Sequence, residues 1–317
     1  MTDETADPID LPATGREIML RHGRQRAAIS SVGATLRAYE VAGWTVVDGP
    51  APGALDDGMH RGKVLAPWPN RIRDGRYSWE GVTHQLPLTE VARRTALHGL
   101  IEWDDWRVDS VSPTTVRLSH RLRPRYGYPF ALDLELTWSL GEGGLTSTTE
   151  VRNPGPAPAP WGLGFHPYLR VTEHADEAHL RIPAARAVPV DDERLLPTGD
   201  AHPVEDRLDF RTARALGARS LDTCYADLER DEDQRAVVDL SDPGHDRRVE
   251  VWMDASFEWV QVYTADEAPG AARRASIAVE PMTCPPDAFR SGTGVISLAP
   301  GTARTHVWGL SADDGSR

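Results

Sequence analysis

Apolar and polar residues alternate along much of the 317-residue chain, and this period of two predicts a protein built mainly of β-strands. In the clearest stretch, residues 132–140, every second position is Leu or Trp and the positions between them are polar. A glycine-rich turn at 141–144 follows, and then a threonine-rich run at 145–151. These segments predict a β-hairpin with one buried face.

The same pattern predicts a second hairpin with strands at 236–240 and 247–253. The turn between them contains Asp242, Pro243 and Gly244, which are residue types that turns favour. Shorter extended runs predict further strands at 115–122, 259–263, 276–279 and 305–310. Helical periodicity is scarce, and residues 206–215 are the one segment for which a short helix is predicted. The predicted fold is therefore all-β, a large β-sandwich with few short helices.

The proline-rich segment 154–160 leaves two interpretations of the domain organisation open. It is either a linker between two domains or a rigid loop inside one sandwich. Because the same strand pattern lies on both sides, we expect one domain over residues 1–317. Its ends, about 1–13 and 311–317, are expected to fray.

The acidic composition limits the classes of partner. A formal net charge of -13 argues against a general binder of nucleic acid or anionic membranes, because both attract exposed cations. The polar start lacks the apolar stretch of a secretory signal, and no apolar run approaches the roughly 20 residues that span a bilayer. Cys224 and Cys284 could form one disulfide or remain thiols in a reducing compartment. We expect a cytoplasmic monomer or homodimer.

Sequence motifs for cofactors and metals are missing. The chain has no Gly-x-Gly-x-x-Gly or Walker loop for a nucleotide, and no His-Glu-x-x-His or Cys-x-x-Cys for a metal ion. The Gly-x-Ser-x-Gly elbow of serine hydrolases is also missing. We therefore expect no cofactor and no metal, which leaves acid–base chemistry.

Two histidines lie in segments where a functional role is as reasonable as a structural one. His98 precedes Gly99, which permits close backbone approach, and His166 lies in the glycine- and aromatic-rich segment 161–168. Loops of this kind favour function slightly. By contrast, His120 is in phase with the apolar residues of a predicted strand and is interpreted as structural.

Two acids allow the same pair of interpretations. Glu280 follows the apolar run 277–279 and precedes Pro281, so we expect it at the end of a strand, as a structural carboxylate or a partly desolvated base. Asp222 allows the same two interpretations, structural or functional. Cys284 has no base beside it in the sequence and is interpreted as an inert thiol.

A third candidate segment combines Trp68, Asn70 and Arg71. The amide and the guanidinium could hold sugar hydroxyls, and a Trp face can stack on the C–H side of a pyranose. The segment could equally be an ordinary surface turn.

Six segments taken together resemble the aldose 1-epimerase (galactose mutarotase) family. They occur in the family's order between about Lys63 and Ala288, and comprise residues 69–72 with 75–77, 85–88, 97–99, 164–168, 221–222 and 279–281. The resemblance implies a galactose mutarotase-like supersandwich with an open sugar cleft and no cofactor.

The resemblance also implies roles for individual residues. Glu280 looks like the family's general base and His166 like its general acid. His98 and Asp222 look like sugar-binding residues, and Arg71 like a cation that orients the substrate. The sequence departs from many members at Leu100, where they carry a second glycine, and at Pro167-Tyr168, where they have Ser-Tyr. These departures weaken any inference that galactose or glucose is the substrate.

Mutarotation calls for this pair of residue types. A base removes the proton of the C1 hydroxyl while an acid protonates the ring oxygen, and a carboxylate (pKa about 4.3) and an imidazole (about 6.5) suit these tasks. We expect the two groups on opposite sides of the C1–O5 region, with a modestly raised pKa for His166.

Three alternatives remain open. The chain could be a non-catalytic carbohydrate-binding protein on the same scaffold, or a glycoside hydrolase using two carboxylates such as Glu280 and Asp222. It could also be a mutarotase of an anionic sugar, phosphorylated or sulfonated. Several cations near the motifs would suit such a sugar, namely Arg71, Arg73, Arg76, Arg93 and Arg94.

Overall fold

A computed structural model of the protein describes residues 12–50, 53–54 and 58–316, and antiparallel β-strands dominate it. In chain order the strands are β1 (Glu17–His22), β2 (Gln25–Ser30), β3 (Leu36–Val41), β4 (Trp44–Asp48), β5 (Val64–Leu65), β6 (Arg71–Arg73), β7 (Arg76–Trp79), β8 (Val82–Gln85), β9 (Thr95–Leu97), β10 (Arg107–Val111), β11 (Thr115–Leu122), β12 (Leu132–Gly141), β13 (Gly144–Arg152), β14 (Ala159–Trp161), β15 (Gly164–Phe165), β16 (Tyr168–Leu169), β17 (His179–Arg181), β18 (Ala184–Ala187), β19 (His202–Pro203), β20 (Arg214–Ala215), β21 (Asp222–Leu228), β22 (Ala236–Asp242), β23 (Arg247–Met253), β24 (Trp259–Tyr263), β25 (Ile277–Met282), β26 (Ile296–Leu298) and β27 (Ala303–Asp313). Helix in these residues is confined to α1 (Ala288–Ser291) and to 3-10 turns at Ala175–Glu177 and Gly270–Ala272.

Two large sheets form the framework. The first has 12 strands, in the order β1-β2-β3-β4-β16-β25-β24-β21-β18-β19, with β15 paired to β25 and β5 paired to β15. The second has nine strands, in the order β10-β11-β12-β13-β27-β23-β22-β17-β20. Two-stranded ribbons, β14-β26, β6-β9 and β7-β8, complete the fold. The expected fold class, a large β-sandwich with few short helices, is confirmed.

The hydrophobic core joins the two sheets. In β12 the residues at positions 132, 134, 136, 138 and 140 are all buried, as the alternation predicts, whereas the side chains between them are partly exposed. Trp138 of β12 and Trp308 of β27 both contact Phe165 of the first sheet, with ring centroids 6.1 and 5.0 Å apart. Aromatic contacts of this kind stabilise beyond the area that they bury.

Both predicted hairpins are confirmed. β12 pairs with β13 around a turn that closes at Gly141 and Gly144. β22 pairs with β23, and β22 is longer than predicted because Ser241 and Asp242 still pair with Arg248 and Arg247. The predicted strands at 115–122 and 259–263 have the expected bounds.

Three expectations need correction. Residues 206–215 form no helix: a turn is followed by the short strand β20, because pairing with β17 stabilises the extended form there. The strand predicted at 276–279 continues to Met282, since Met282 still pairs with Trp259 although Pro281 lacks an N–H. The frayed end does not begin at residue 311, because β27 pairs with β23 as far as Asp313. At the other end, residues 1–11 lie outside the described residues.

The proline-rich segment is a loop held by a buried amide. Asn153 donates to the carbonyls of Ala157 and Leu298 at 2.8 and 2.7 Å and accepts the N–H of Gly155. Residues from both sides of the segment belong to one hydrophobic cluster. The single domain over residues 1–317 stays a prediction.

His306 in β27 links stability to pH. The residue is 1% exposed, its Nε2 accepts the N–H of Trp161 at 3.2 Å, and its Nδ1 lies 2.9 Å from Ser256 Oγ. Burial lowers the pKa of His306 to about 4. An unfolded histidine titrates near ~6.5, so the unfolded chain binds a proton that the folded chain rejects as the pH falls through this window. Protonation therefore favours unfolding.

We expect His306→Gln to reduce the loss of stability in acid. The variant keeps an amide donor and acceptor but cannot titrate. Urea unfolding of the wild type should lose about 2 kcal/mol more between pH 7.5 and 4.5 than unfolding of the variant. An equal pH dependence of both proteins would contradict the role of His306.

Candidate active site

The central strands of the first sheet present polar side chains on the face that points away from the core. In β25, Ile277 and Val279 belong to the core cluster, so Glu280 projects from the opposite face. Its partner in β24 is Gln261. Strand β21, which pairs with β24, adds Asp222. Its neighbours along the strand point into the core, so the side chain of Asp222 lies on the same face as Glu280. Strand alternation thus brings three polar residues from distant parts of the chain onto one surface.

His166 reaches this surface from the link between β15 and β16. Phe165 before it points into the core, and Tyr168 after it stacks on the imidazole, with ring centroids 5.0 Å apart and an interplanar angle of 18°. The backbone is fixed on both sides, because His166 N donates to Lys63 O and Val279 N donates to Pro167 O. The imidazole is therefore held in one orientation.

Asn70 and His98 hold each other on the adjacent wall. Both have left-handed backbones, with φ of 54° and 59°. The backbone N–H of Asn70 donates to His98 Nδ1 at 3.2 Å, and the backbone N–H of His98 donates to Asn70 O at 3.0 Å. Because Nδ1 accepts, the proton of neutral His98 is on Nε2. Gly99 allows the backbone approach expected from the sequence: a Cβ there would lie 2.0 Å from Ala66 O.

These elements surround a cavity of about 300 Å³, near the lower end of the range for small-molecule sites. It is lined by Gly58, Met59, His60, Asn70, Arg71, Glu90, Arg93, Leu97, His98, His166, Tyr168, Asp222, Gln261, Tyr263, Glu267, Pro269 and Glu280. All six candidate residues from the sequence are in this set. Trp68 is not: its ring is buried against Phe289, and its N–H donates to Ala96 O, so the ring has no free face for the sugar stacking that the sequence left open.

Glu280 and His166 are in direct contact on the cavity floor. Glu280 Oε1 lies 3.3 Å from His166 Nε2, and the two residues are 2% and 5% exposed. The sequence analysis expects the two groups on opposite sides of the C1–O5 region of the sugar, whereas in the structure their side chains contact each other. Glu280 Oε2 and His166 Nδ1 are buried without a hydrogen-bond partner among the described residues, as is Gln261 Oε1. Orphaned buried polar atoms are costly and suggest a ligand that satisfies them.

Burial sets the protonation of this pair. Burial, and then the charge of Asp222, raise the pKa of Glu280 well above its usual range, while Arg71 opposes the shift. Burial, and then the charge of His60, lower the pKa of His166, so the modest upward shift expected from the sequence has the wrong direction. The pair is consequently disposed to carry one proton rather than separated charges.

The cations of the wall are held by carboxylates. Arg71 makes a bidentate pair with Glu90, with Nε–Oε2 and Nη2–Oε1 distances of 2.9 and 3.1 Å. Glu90 also accepts the hydroxyl of Thr95 and the guanidinium of Arg93, which in turn reaches Glu267. This network fixes the guanidinium of Arg71 at the cavity wall.

Sequence reasoning missed several lining residues. Gln261 could have been found, because a lone amide between two valines in a predicted strand is unusual, and in the structure it donates to Asp222. His60 and Glu90 carry no local signal. They are brought to the cavity by loops whose course depends on the whole fold.

Within residues 12–50, 53–54 and 58–316, no group of three or more His, Cys, Asp or Glu side chains is arranged to hold a metal ion. No helix in this part of the chain has the length and apolarity needed to cross a membrane.

Comparison with known protein sequences shows the family of the chain. Residues 16–311 match the sequence model of the family described as aldose 1-epimerase. The chain belongs to the aldose 1-epimerase family. The family resemblance inferred from the six segments is thereby confirmed.

The similarity to individual relatives extends over nearly the full length of this aldose 1-epimerase family member. The uncharacterized protein YihR of Escherichia coli (strain K12) is 34% identical over 294 residues, 92% of either chain. Two solved structures show the same fold. The GalM/aldose epimerase homologue of C. elegans has a TM-score of 0.84 at 19% identity, covering 95% of this chain and 99% of its own. The galactose 1-epimerase of Lactobacillus acidophilus NCFM has a TM-score of 0.80 at 20% identity, with 95% of each chain covered.

Both thiols of this family member are free, and Cys224 pairs with the lining residue Gln261 in the strand ladder. Cys224 is 1% exposed and Cys284 is fully buried, and burial raises the pKa of Cys284 to about 12. A buried, protonated thiol is a poor nucleophile.

We expect no reaction of the folded protein with a thiol reagent such as Ellman's reagent at pH 8, and two reacting thiols per chain in guanidinium. Rapid labelling of the folded protein would contradict this assignment.

Proposed function

We propose that the protein is a mutarotase that interconverts the α and β anomers of a free aldose by acid–base ring opening and re-closure. The observation that carries the proposal is the contact between Glu280 and His166 on the floor of a hexose-sized polar cavity. Non-catalytic binding would not call for a buried acid–base pair, because desolvating ionisable groups costs free energy that hydroxyl or amide groups would avoid.

In the proposed reaction, the single proton of the pair lies on His166 in the reacting form, so that Glu280 accepts the proton of the C1 hydroxyl while His166 donates its own to the ring oxygen O5. The C1–O5 bond breaks, the C1–O1 bond becomes a carbonyl, and an open-chain aldehyde results. After rotation about C1–C2, attack of the C5 hydroxyl on C1 closes the ring, and the two groups reverse their roles. No net proton is consumed.

The contact between the two groups fits this chemistry. The two oxygens that exchange protons are bonded to the same carbon, so the groups that serve them must be close together. A single proton shared by the pair is the amount that the cycle needs, since one group must accept while the other donates. Positioned acid–base groups typically contribute about 10²–10⁴-fold each to a rate.

Other cavity residues are proposed to hold the sugar. The Nε2–H of His98 can donate to a hydroxyl, and the guanidinium of Arg71 can do the same. Asp222 and the orphaned Oε1 of Gln261 can accept hydroxyl protons. A polyhydroxylated ligand has donors and acceptors on every carbon, which suits a floor of this mixed character.

The charges of the cavity support a neutral aldose over an anionic one. Among the described lining residues the guanidinium groups are those of Arg71 and Arg93, and both already pair with carboxylates. An anionic sugar would have to displace such a carboxylate to be bound by charge.

We expect Glu280→Gln to lower the rate of anomer exchange by at least about 10²-fold, because an amide cannot accept the hydroxyl proton. The rate is measured as the polarimetric decay of a pure anomer or by exchange NMR. The matched control is Glu135→Gln, on the solvent face of β12 and paired with Arg117, which should retain the wild-type rate. A Glu280→Gln protein with full activity would overturn the assignment of the base.

The substrate class has its own test. Exchange NMR over a panel of neutral, phosphorylated and sulfonated aldoses should show catalysis with neutral sugars. Faster exchange of an anionic aldose would contradict the charge argument while supporting the mutarotase. Binding of sugars without any acceleration would instead support a carbohydrate-binding protein, and hydrolysis of an aryl glycoside would support a glycosidase.

A further inference from the structure

A second carboxylate–imidazole pair lies beside the pair to which catalysis is assigned. His60 Nδ1 is 2.9 Å from Glu102 Oε1 and 3.2 Å from Oε2. His60 lines the cavity, whereas Glu102 is 7% exposed and is not part of the lining. Neither residue belongs to the segments on which the family resemblance was based.

The imidazole of His60 belongs to a cluster of three. Its ring centroid is 4.6 Å from that of His98 and 6.2 Å from that of His166, and the last two are 5.4 Å apart. Two positive charges at such separations repel each other, and the repulsion is stronger in a buried site than in water. The cluster therefore holds one imidazolium far more readily than two.

Hydrogen bonds decide which ring carries the charge. His98 is held neutral, because its Nδ1 accepts a hydrogen bond from the backbone N–H of Asn70 and a proton there would face another N–H. His166 lies beside Glu280, but burial favours the neutral form of that carboxyl group. His60 instead has both oxygens of Glu102 within hydrogen-bond distance. A carboxylate in this position stabilises the charged imidazole.

We propose that Glu102 holds His60 as an imidazolium, and that this charge keeps His98 neutral and makes His166 a stronger proton donor. The catalytic part of this inference rests on the function proposed above. His60 would be a positioning residue in that reaction, since it acts through His166 rather than on the sugar. Neutral His98 would keep its Nε2–H for a sugar hydroxyl.

The electrostatics of the cluster support the proposal. After burial itself, the charge of His60 is the largest influence that lowers the pKa of both His98 and His166. The titratable and charged groups around the cluster include Glu102, Lys63, Arg61, Arg71, Tyr168, Asp222 and Glu280. Arg61 and Arg71 act on His166 in the same direction as His60, so removal of His60 should relieve only part of the shift.

NMR titration of labelled histidines tests the charge without reference to activity. In the wild type, the His60 signals should report a protonated ring at a pH where those of His98 and His166 report neutral rings. In Glu102→Gln and in His60→Gln, the titrations of His98 and His166 should move to higher pH by about one unit. The long-range ¹H–¹⁵N couplings should also show His98 protonated on Nε2.

Kinetics test the consequence for catalysis. Both variants should move the alkaline limb of the pH–rate profile to higher pH by a similar amount, because His166 then holds its proton more firmly. The plateau of kcat should fall about three- to tenfold, because His166 becomes a weaker acid, while KM changes by less than about twofold. Glu102→Asp should restore the wild-type profile in part.

Asp242→Asn is the matched control, because it removes a carboxylate that pairs with His245 at 2.6 Å far from the cavity, at the end of β22. It should shift neither the titrations of the three histidines nor the pH–rate profile.

The proposal is overturned if Glu102→Gln and His60→Gln both fold and leave the titrations of His98 and His166 unchanged, or if His60 titrates as a neutral ring in the wild type. Loss of activity with no movement of the pH profile would also contradict it, since this would indicate a structural role. If the wild type accelerates no anomer exchange, the proposed function fails, and the NMR titrations still decide whether His60 carries the charge.

Discussion

Burial of Glu280 against His166 is the constraint on which the rest of the site depends. Glu280 lies in the central strand β25 of the large sheet and His166 in the short link between β15 and β16, and both side chains are almost fully buried. Taking such groups out of water is costly, and the cost falls when they share a proton and when nearby charges are balanced. The groups that influence the pKa values of the pair are Arg71, Asp222 and, on the side of His166, His60.

The sheet makes the site rigid as well as buried. Asp222, Gln261 and Glu280 are separated by long stretches of sequence, yet the ladder from β21 through β24 to β25 fixes their spacing. Side chains on strands move less than side chains on loops, and proton transfer depends on geometry at the scale of an ångström. The wall, formed by β6 and the loop that carries Glu90 and Arg93, contributes a different property, because its salt bridges fix the guanidinium groups at the edge of the cavity.

The sequence predicted the strands better than it predicted the surroundings of the site. Alternation of period two identifies β12 because one of its faces is in the core and the other is not. The same signal fails for β25, whose residues are buried on both faces, so Glu280 was placed at a strand end rather than within the sheet. Residues 206–215 show the converse: a local pattern favoured helix, and pairing with β17 overrode it. His60 and Trp68 show that exposure of a side chain to the cavity is a tertiary property that no local spacing encodes.

The family relationship and the site geometry answer different questions. Fold similarity at about 20% identity establishes the scaffold, and the family match covers residues 16–311, but neither determines which sugar fits. Substrate preference depends on what lies around the pair rather than on the pair itself, because every free aldose presents the same hemiacetal carbon. In this cavity the groups around the pair include the carboxylate-bound arginines Arg71 and Arg93 and the contact between Glu102 and His60. The specificity of the cavity therefore depends on the charges around its lining rather than on Glu280 and His166 themselves.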